Sequence, residues 1–292
     1  MSQTPLAHRI WHGGTLMLML MITLSLSWNS FYKFRPLILD SAELQPEHEK
    51  PGKKVILVLY DALREDFIEW PDNKEPNLSL DAAYAYKGKK GTLFRRLVEE
   101  EPENSFLVPF RSEMPTITAI RIKTFLSGVV GSVQDFMEGL SQNEFTEDTI
   151  LKQMYAKKKD QVRTLFFGED IWVSNFGKYF TKEVSLHDPD VRDLETNDDT
   201  ASKHIYEELD NGSNFDIMVA HLIGLDHAGH THGPTHPELE RKLLDVERIV
   251  ENIIDKMDDE TTLLVFGDHG MTQDGSHGGS SEIEMRTVLF SY

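Results

Sequence analysis

The chain has 292 residues, and with 39% of them hydrophobic it can bury the core of one large domain or two ordinary ones. Its 49 acidic and 30 basic residues give a formal net charge of −19, which repels phosphate backbones and argues against general nucleic-acid binding. The absence of cysteine excludes disulfides, thiolate metal sites and a cysteine nucleophile.

An uncharged stretch near the N-terminus runs from Ile10 to Tyr32. As a helix it would reach about 35 Å, enough for the hydrocarbon core of a bilayer, with aromatic residues at both ends as in an interfacial belt. We therefore predict one transmembrane helix, an uncleaved anchor, within residues 1–35. The alternative is a cleaved signal peptide, with Ser25 and Ser27 as the small residues before the cut.

Residues 36–52 form a polar segment with three prolines, which predicts a linker. Under either interpretation of the N-terminus, the chain beyond this linker enters the secretory pathway. The tripeptides "NLS" at Asn77 and "NGS" at Asn211 are candidate glycosylation sites in that setting. Residues 53–292 alternate between apolar strands and amphipathic helices, which predicts a single α/β domain.

The elements of this domain are predicted in chain order from their patterns. The strands are "KVILVLYD", "VRTLFFGED", "FDIMVAHLIGLD" and "TTLLVFGD". The helices are "TITAIRIKTFLSG", closed by Gly128, then "EDTILKQMYAKKKD", and "PELERKLLDVERIVENIIDKM", whose apolar residues repeat near a 3.6 period.

All four predicted strands end in an acidic turn, formed by Asp61, the pair Glu169 and Asp170, Asp226, and Asp268. A single acid at such a place is more often a helix cap or a solvated turn residue. In open α/β sheets, however, ligands bind at the carboxyl ends of the strands. The repetition therefore predicts a binding site at this edge of the sheet.

Histidines accompany the last two of these acids. They are His227, His230, His232 and His236 after Asp226, and His269 and His277 after Asp268. Any one of them alone is more often a surface residue. Neutral imidazoles and carboxylates at this density are the ligands that Zn²⁺ or Mn²⁺ prefers, so the joint pattern predicts a metal site.

The order of these motifs resembles the alkaline-phosphatase superfamily. The pattern is an acid ending the first strand, a threonine at a helix start, D-x-x-x-H, then D-H and a final H-G. The resemblance implies an alkaline-phosphatase-like domain with a mostly parallel central sheet flanked by helices, and two metals at one site. It assigns Asp226, His230 and His277 to one ion and Asp61, Asp268 and His269 to the other.

Thr116 in "EMPTITAIRIKTFLSG" is the nucleophile that this resemblance implies, bridging both ions. A threonine hydroxyl is a poor nucleophile at neutral pH, and coordination to a divalent ion lowers its pKa. The start of the predicted helix also favours an anion. The alternative for Thr116 is that it only caps that helix.

Longer stretches are similar to the luminal domain of the ethanolamine-phosphate transferases of glycosylphosphatidylinositol (GPI) anchor synthesis. They include "DALREDF", "PTITAIRIKTFLSG", "FFGEDIW" and "GDHGMTQDGSHGGSSEIE", within residues 53–292. The stretches "VRDLETND", "GHTHGPTHPE" and "HGGSSEIE" most resemble the branch of this family that modifies the third mannose. Family members continue into a multi-spanning membrane region, whereas this chain stops at "EMRTVLFSY"; we expect a truncated gene model, a short paralogue or an excised domain.

The resemblance implies transfer of phosphoethanolamine from phosphatidylethanolamine to a mannose of the GPI precursor, through a phosphothreonine. It places the enzyme in the endoplasmic reticulum membrane with a luminal catalytic domain, and it allows for a membrane partner subunit. Two divalent ions are implied, zinc before manganese. The alternatives are a metal-dependent phosphodiesterase or phosphatase on the same site, and a non-catalytic luminal scaffold.

Several polar residues near the motifs receive weaker predictions. We expect His221 to be a core residue, and Arg121 and Lys123 to lie on a solvated helix face rather than hold a phosphate. His227, His232 and His236 are expected to orient ligands or touch substrate. The turn with Glu169, Asp170 and Trp172 is expected to be an acidic loop, the alternative being contact with the ethanolamine ammonium by charge and by cation–π interaction.

Overall fold

The computed structural model describes residues 17–25, 54–71, 85–131, 147–158, 162–187 and 189–292. Residues 17–25 form helix α1, which is exposed along its whole length. Among the described residues, no helix has the length and apolar character needed to cross a membrane. The transmembrane helix therefore stays a prediction, and most of its segment, the linker at 36–52 and Asn77 lie outside the described residues.

Seven strands form one mixed sheet in the order β2-β7-β6-β1-β5-β3-β4. Their bounds are β1 Lys54–Tyr60, β2 Phe106–Arg111, β3 Thr164–Glu169, β4 Lys182–Leu186, β5 Ile217–Leu222, β6 Thr261–Gly267 and β7 Arg286–Ser291. Strands β6, β1, β5, β3 and β4 are parallel to one another, and β7 is antiparallel to both β6 and β2. The prediction of an α/β fold with a mostly parallel sheet is confirmed.

Helices flank this sheet. Their bounds are α2 Leu93–Glu100, α3 Thr118–Ser127, α4 Ile150–Lys158, α5 Ile171–Phe176, α6 Thr196–Asp210, α7 Gly224–His232, α8 Pro237–Lys256 and α9 Glu282–Met285. The three predicted helices correspond to α3, α4 and α8. Gly128 caps the C-terminus of helix α3, and its φ of 69° is the left-handed conformation that glycine adopts without strain.

The core lies on both faces of the sheet. Side chains along β1 alternate, so that Ile56 and Val58 join one apolar cluster while Leu57 and Leu59 join the other. Helices α6 and α8 cover the first face, and α3, α4 and α5 cover the second. Burial on both faces explains why the central strands read as unbroken apolar runs rather than as an alternating pattern.

Candidate active site

The sheet places two acids side by side. Strands β1 and β6 are parallel, with Tyr60 opposite Gly267, so Asp61 and Asp268 are the next residues at the same edge. The Ala62 N–H donates to Asp268 Oδ1 at 3.2 Å, and the Asp61 N–H donates to Leu222 O at 2.9 Å, beside the end of β5. The carboxyl edge of the sheet therefore holds both carboxylates in register.

Asp61, Asp268 and His269 form the strand-end cluster. All three are buried, and His269 Nε2 lies 3.2 Å from Asp61 Oδ1 and 3.3 Å from Asp268 Oδ2. His269 Nδ1 lies 2.8 Å from the carbonyl oxygen of Gly270. Because a carbonyl only accepts, Nδ1 carries the proton in a neutral ring, and Nε2 directs a lone pair at the carboxylates. This is the tautomer that a metal-binding histidine needs.

Asp226, His230 and His277 form the helix–loop cluster. Strand β5 ends at Leu222, so Asp226 lies in the first turn of α7 rather than at the strand end itself, and His230 follows one turn later. His230 Nε2 is 3.3 Å from Asp226 Oδ2, and His277 Nε2 is 3.7 Å from Asp226 Oδ1. The two clusters adjoin, because the rings of His269 and His277 stack with centroids 4.0 Å apart.

The two clusters fit divalent cations. Within each one, the three residues offer ligand atoms that lie within 4.8 Å of one another. Among the described residues, Asp61 Oδ1, Asp226 Oδ1 and Asp268 Oδ2 are buried carboxylate oxygens that accept no hydrogen bond. Unsatisfied buried carboxylates are costly, and a cation between them would compensate the charge. Both predicted ligand triplets are thus brought together in the fold.

The electrostatics of these acids support the same conclusion. Burial, reinforced by the charge of Asp61, raises the pKa of Asp268 to about 8 and the pKa of Asp226 well above its ordinary value. Burial also tends to raise the pKa of Asp61. The neighbouring His269 and His221 outweigh this effect and hold the pKa of Asp61 below its ordinary value. Three carboxylates in this small volume cannot all be charged unless positive charge lies among them.

Thr116, the predicted nucleophile, does not reach these clusters with its side chain. Its buried hydroxyl lies 3.1 Å from Glu284 Oε1 and 3.2 Å from Gly279 O, and it accepts from the Gly278 N–H at 2.9 Å. Its carbonyl oxygen is 2.8 Å from His277 Nδ1, which keeps Nε2 of His277 available to a metal. The carbonyl of Thr116 therefore supports His277. Its hydroxyl is bonded to Glu284 and is not directed at the carboxylates of the clusters.

Thr118 is the threonine beside the strand-end cluster. Its Oγ1 lies 3.2 Å from His269 Nε2 and 3.4 Å from Asp61 Oδ2. The helix begins two residues later than predicted: Thr118 is the first residue of α3, after Ile117 at the N-cap. Its hydroxyl thus lies at the positive end of the helix, in the position predicted for Thr116.

The remaining histidines have distinct positions. His221 is buried in the core as predicted, yet its Nε2 also lies 3.2 Å from Asp61 Oδ2 and helps to orient that carboxylate. His227 Nδ1 donates to the Asp193 carbonyl at 2.8 Å. His232 and His236 stack on each other at 4.4 Å, and His236 caps α8. Of these residues, only His221 touches a member of the two clusters.

One further prediction and one alternative need correction. Arg121 and Lys123 are buried, so the expectation of a solvated helix face was wrong; Lys123 pairs with Glu147 at 3.3 Å. Trp172 is fully buried and stacks on Phe166, which rules out its proposed cation–π contact with a ligand.

A third acidic group lies at the end of β3. Glu169, Asp170 and His187 offer ligand atoms within 4.8 Å of one another, as in the two clusters. Unlike those clusters, it contains no fully buried member. Burial nevertheless raises the pKa of Glu169 to about 7.

Comparison with known sequences identifies the relatives of this chain. Residues 142–277 match the family model of type I phosphodiesterase / nucleotide pyrophosphatase. The catalytic subunit of GPI ethanolamine phosphate transferase 3 from Mus musculus is 35% identical over 253 residues, 84% of this chain and 23% of the relative. The enzyme named GPI ethanolamine phosphate transferase 3 from Saccharomyces cerevisiae is 30% identical over 259 residues, 87% of this chain and 25% of the relative. The chain thus spans about a quarter of the length of these relatives.

Solved structures share the fold. The C-terminal periplasmic domain of EcEptC from Escherichia coli, in complex with Zn, superposes with a TM-score of 0.54 at 14% identity, covering 88% of this chain and 76% of that one. The corresponding domain of the phosphoethanolamine transferase EptC from Campylobacter jejuni gives a TM-score of 0.51 at 15% identity, covering 83% and 80%. The chain therefore has an alkaline-phosphatase-like α/β fold, as the sequence motifs implied.

Proposed function

Since the chain belongs to the GPI ethanolamine phosphate transferase family, we propose that it transfers phosphoethanolamine from phosphatidylethanolamine to a mannose of the GPI precursor. The observation that carries this proposal is the position of Thr118. Its hydroxyl lies against Asp61 and His269 of the strand-end cluster, and the ring of His269 stacks on His277 of the helix–loop cluster. Both clusters fit divalent cations. A hydroxyl nucleophile beside paired metal ligands is the arrangement that two-step phosphoryl transfer needs.

Thr118 replaces Thr116 as the proposed nucleophile. In the first step, the Thr118 Oγ1 forms a bond to phosphorus and the bond from phosphorus to the diacylglycerol oxygen breaks. The hydroxyl proton of Thr118 ends on the released diacylglycerol. In the second step, a mannose hydroxyl oxygen bonds to the same phosphorus, the bond to Thr118 breaks, and the mannose proton returns to Thr118.

The two clusters are the proposed metal ligands. Asp61, Asp268 and His269 would hold one ion, and Asp226, His230 and His277 the other. Imidazole ligands favour zinc, with manganese as the alternative. Bound ions would lower the pKa of the attacking hydroxyl and offset the charge of the phosphodiester, which this acidic chain would otherwise repel. Thr116 and His221 orient members of the clusters.

The third mannose is the proposed acceptor. Relatives named transferase 3 reach 35% identity to this chain, whereas those named transferase 2 reach 32%. The mouse and human relatives are named catalytic subunits, which supports a partner subunit. We place the enzyme at the endoplasmic reticulum membrane, anchored by residues 1–35, with residues 36–52 as linker and 53–292 as the luminal catalytic domain.

A phosphodiesterase is the second candidate, favoured by the family model that matches residues 142–277. It would use the same first step and replace the mannose hydroxyl by water in the second. An assay with phosphatidylethanolamine labelled in its headgroup distinguishes the two. Transfer predicts label on the GPI acceptor, lost in Thr118→Ala; label released only as free phosphoethanolamine, with acceptor present, would contradict the transferase.

A further inference from the structure

A cavity of about 300 Å³ opens beside the strand-end cluster. Arg121 and Asp268, both buried, line its inner end, and Arg121 follows Thr118 by one turn of α3. Phe110, Phe125 and Phe266 form its walls, the last two with rings stacked at 4.0 Å. The cavity therefore runs from a cation next to the proposed nucleophile into an aromatic passage.

Exposed apolar side chains lie at and beside the mouth of this cavity. Its exposed lining residues are Arg111, Glu113, Gly128 and Val130, and Met114 directly follows Glu113. On β2, Phe106 and Val108 share the strand face of Phe110, because side chains alternate along a strand. We call these four side chains the apolar rim; they are exposed to 47% (Phe106), 38% (Val108), 60% (Met114) and 58% (Val130).

Exposed side chains of this kind are concentrated here. Outside α1, the described part of the chain exposes eight large apolar side chains, of which the apolar rim supplies four. In a chain with a formal net charge of −19, such a group at the entrance of a site marks a surface that contacts something apolar.

The strand edge itself is poorly suited to a protein partner. Strand β2 is the last strand of the sheet, and Pro109 removes one of its backbone donors. Proline on an edge strand discourages the addition of another strand. The chemistry along the cavity instead matches an amphiphile. Inside, the buried Arg121 lies with the proposed metal ligand Asp268, where an anionic phosphodiester would bind, and outside are apolar side chains for acyl chains.

We propose that the apolar rim seats on a lipid bilayer and that the cavity admits a phospholipid, so that its phosphodiester reaches Thr118 while its acyl chains stay at the rim. The choice of a phospholipid as occupant rests on the proposed function. Binding of the apolar rim to the bilayer is measured without turnover. This proposal and the proposed function can therefore fail separately.

The absence of cysteine makes site-specific labelling direct. Val108→Cys and Leu244→Cys, each carrying an environment-sensitive fluorophore, are compared on adding vesicles of phosphatidylcholine and phosphatidylethanolamine. Leu244 is 50% exposed on α8, which packs on the opposite face of the sheet. We expect the probe at Val108 to rise several-fold in emission with vesicles and the probe at Leu244 to stay unchanged.

Equal responses at the two positions, or none at Val108, would overturn the proposal. A response at Val108 that follows protein concentration without vesicles would show that a second copy covers the rim, and would also overturn the proposal.

As a second measure, the double variant with Phe106→Ser and Val108→Ser should lower activity on phosphatidylethanolamine vesicles about tenfold and leave cleavage of a soluble phosphodiester unchanged. Leu244→Ser is the matched control. Inactivity of the parent on both substrates would contradict the proposed function, and the fluorescence result would still stand.

Discussion

The strand-end cluster offers a metal two carboxylates and one imidazole, and the helix–loop cluster offers one carboxylate and two imidazoles. The ligand types are the same, but the two clusters are held differently. Asp61 and Asp268 leave adjacent parallel strands, so the ladder between β1 and β6 sets their spacing. Asp226 and His230 stand on one face of α7, while His277 comes from a loop. The first cluster is a product of the sheet, whereas the second must be assembled from separate segments.

This difference extends to burial and support. In the strand-end cluster His269 is inaccessible to solvent, and its Nδ1 is satisfied by the neighbouring Gly270. In the helix–loop cluster the His230 side chain is 30% exposed. His277 depends on Thr116, whose hydroxyl is held in turn by Glu284. We infer that the sheet alone orients the first cluster and that the second requires this chain of contacts.

The largest effect is expected at Thr118, beside the strand-end cluster. Thr118→Ala removes the proposed nucleophile, so turnover should fall by roughly 10⁴- to 10⁶-fold while bound metal is retained. Thr118→Ser keeps a hydroxyl and should retain partial activity. Thr116→Ser, with its carbonyl unchanged, is the control and should stay within about tenfold of the parent. Near-normal steady-state turnover of Thr118→Ala would refute the assignment.

The two clusters should release their ions in a set order. His230 is partly exposed, whereas His269 is buried, so the helix–loop ion should leave first during dialysis against a chelator. Elemental analysis should find one ion per chain in both His230→Ala and His269→Ala, against two in the parent. If His230→Ala keeps two ions, the division of ligands between the clusters is wrong.

Glu284 tests the support of the helix–loop cluster. Glu284→Gln weakens the hold on Thr116 and on the backbone of the loop, so metal affinity at that cluster should fall roughly 10- to 100-fold, as for other outer ligands. Affinity at the strand-end cluster should not change. Glu282→Gln is the matched control, because Glu282 is exposed and pairs with Arg111. Calorimetric titration that shows equal losses in the two variants would argue against this support.

The smallest effect concerns Glu169, next to neither cluster. Burial raises its pKa in the folded protein from 4.5 to about 7. The folded state therefore binds more protons than the unfolded state across this range, and its contribution to stability falls as pH rises from about 4.5 to about 7. Glu169→Gln should flatten that decline in urea unfolding measured at the two ends of the range. An unchanged slope would contradict the raised pKa.

Much of the strand-end cluster was predictable, because buried strands followed at once by acids are visible in local sequence. The division into two three-residue ligand sets came from the resemblance to the alkaline-phosphatase superfamily. Thr118 was not predictable in the same way, since Thr116 and Thr118 both stand near the helix start. The choice between them depends on Glu284, which is 168 residues from Thr116 along the chain.

Elements at the edges of the fold were also missed. Strands β2 and β4 are the two outermost strands and are only partly buried. Strand β4 lacks an apolar pattern, and Pro109 interrupts the apolar run of β2. His221 looked like an ordinary core residue because its contact with Asp61 joins strands β5 and β1 through tertiary packing. Long-range contacts of this kind leave no signal in residue spacing.

The central claim is that Thr118 carries the phosphoethanolamine between the two steps. The most direct measurement is a quenched reaction of the metal-loaded protein with headgroup-labelled phosphatidylethanolamine, followed by proteolysis and mapping of the labelled peptide. Our account predicts label on Thr118, with none in Thr118→Ala and undiminished labelling in Thr116→Ser. Label on Thr116, or on any other residue, would contradict it.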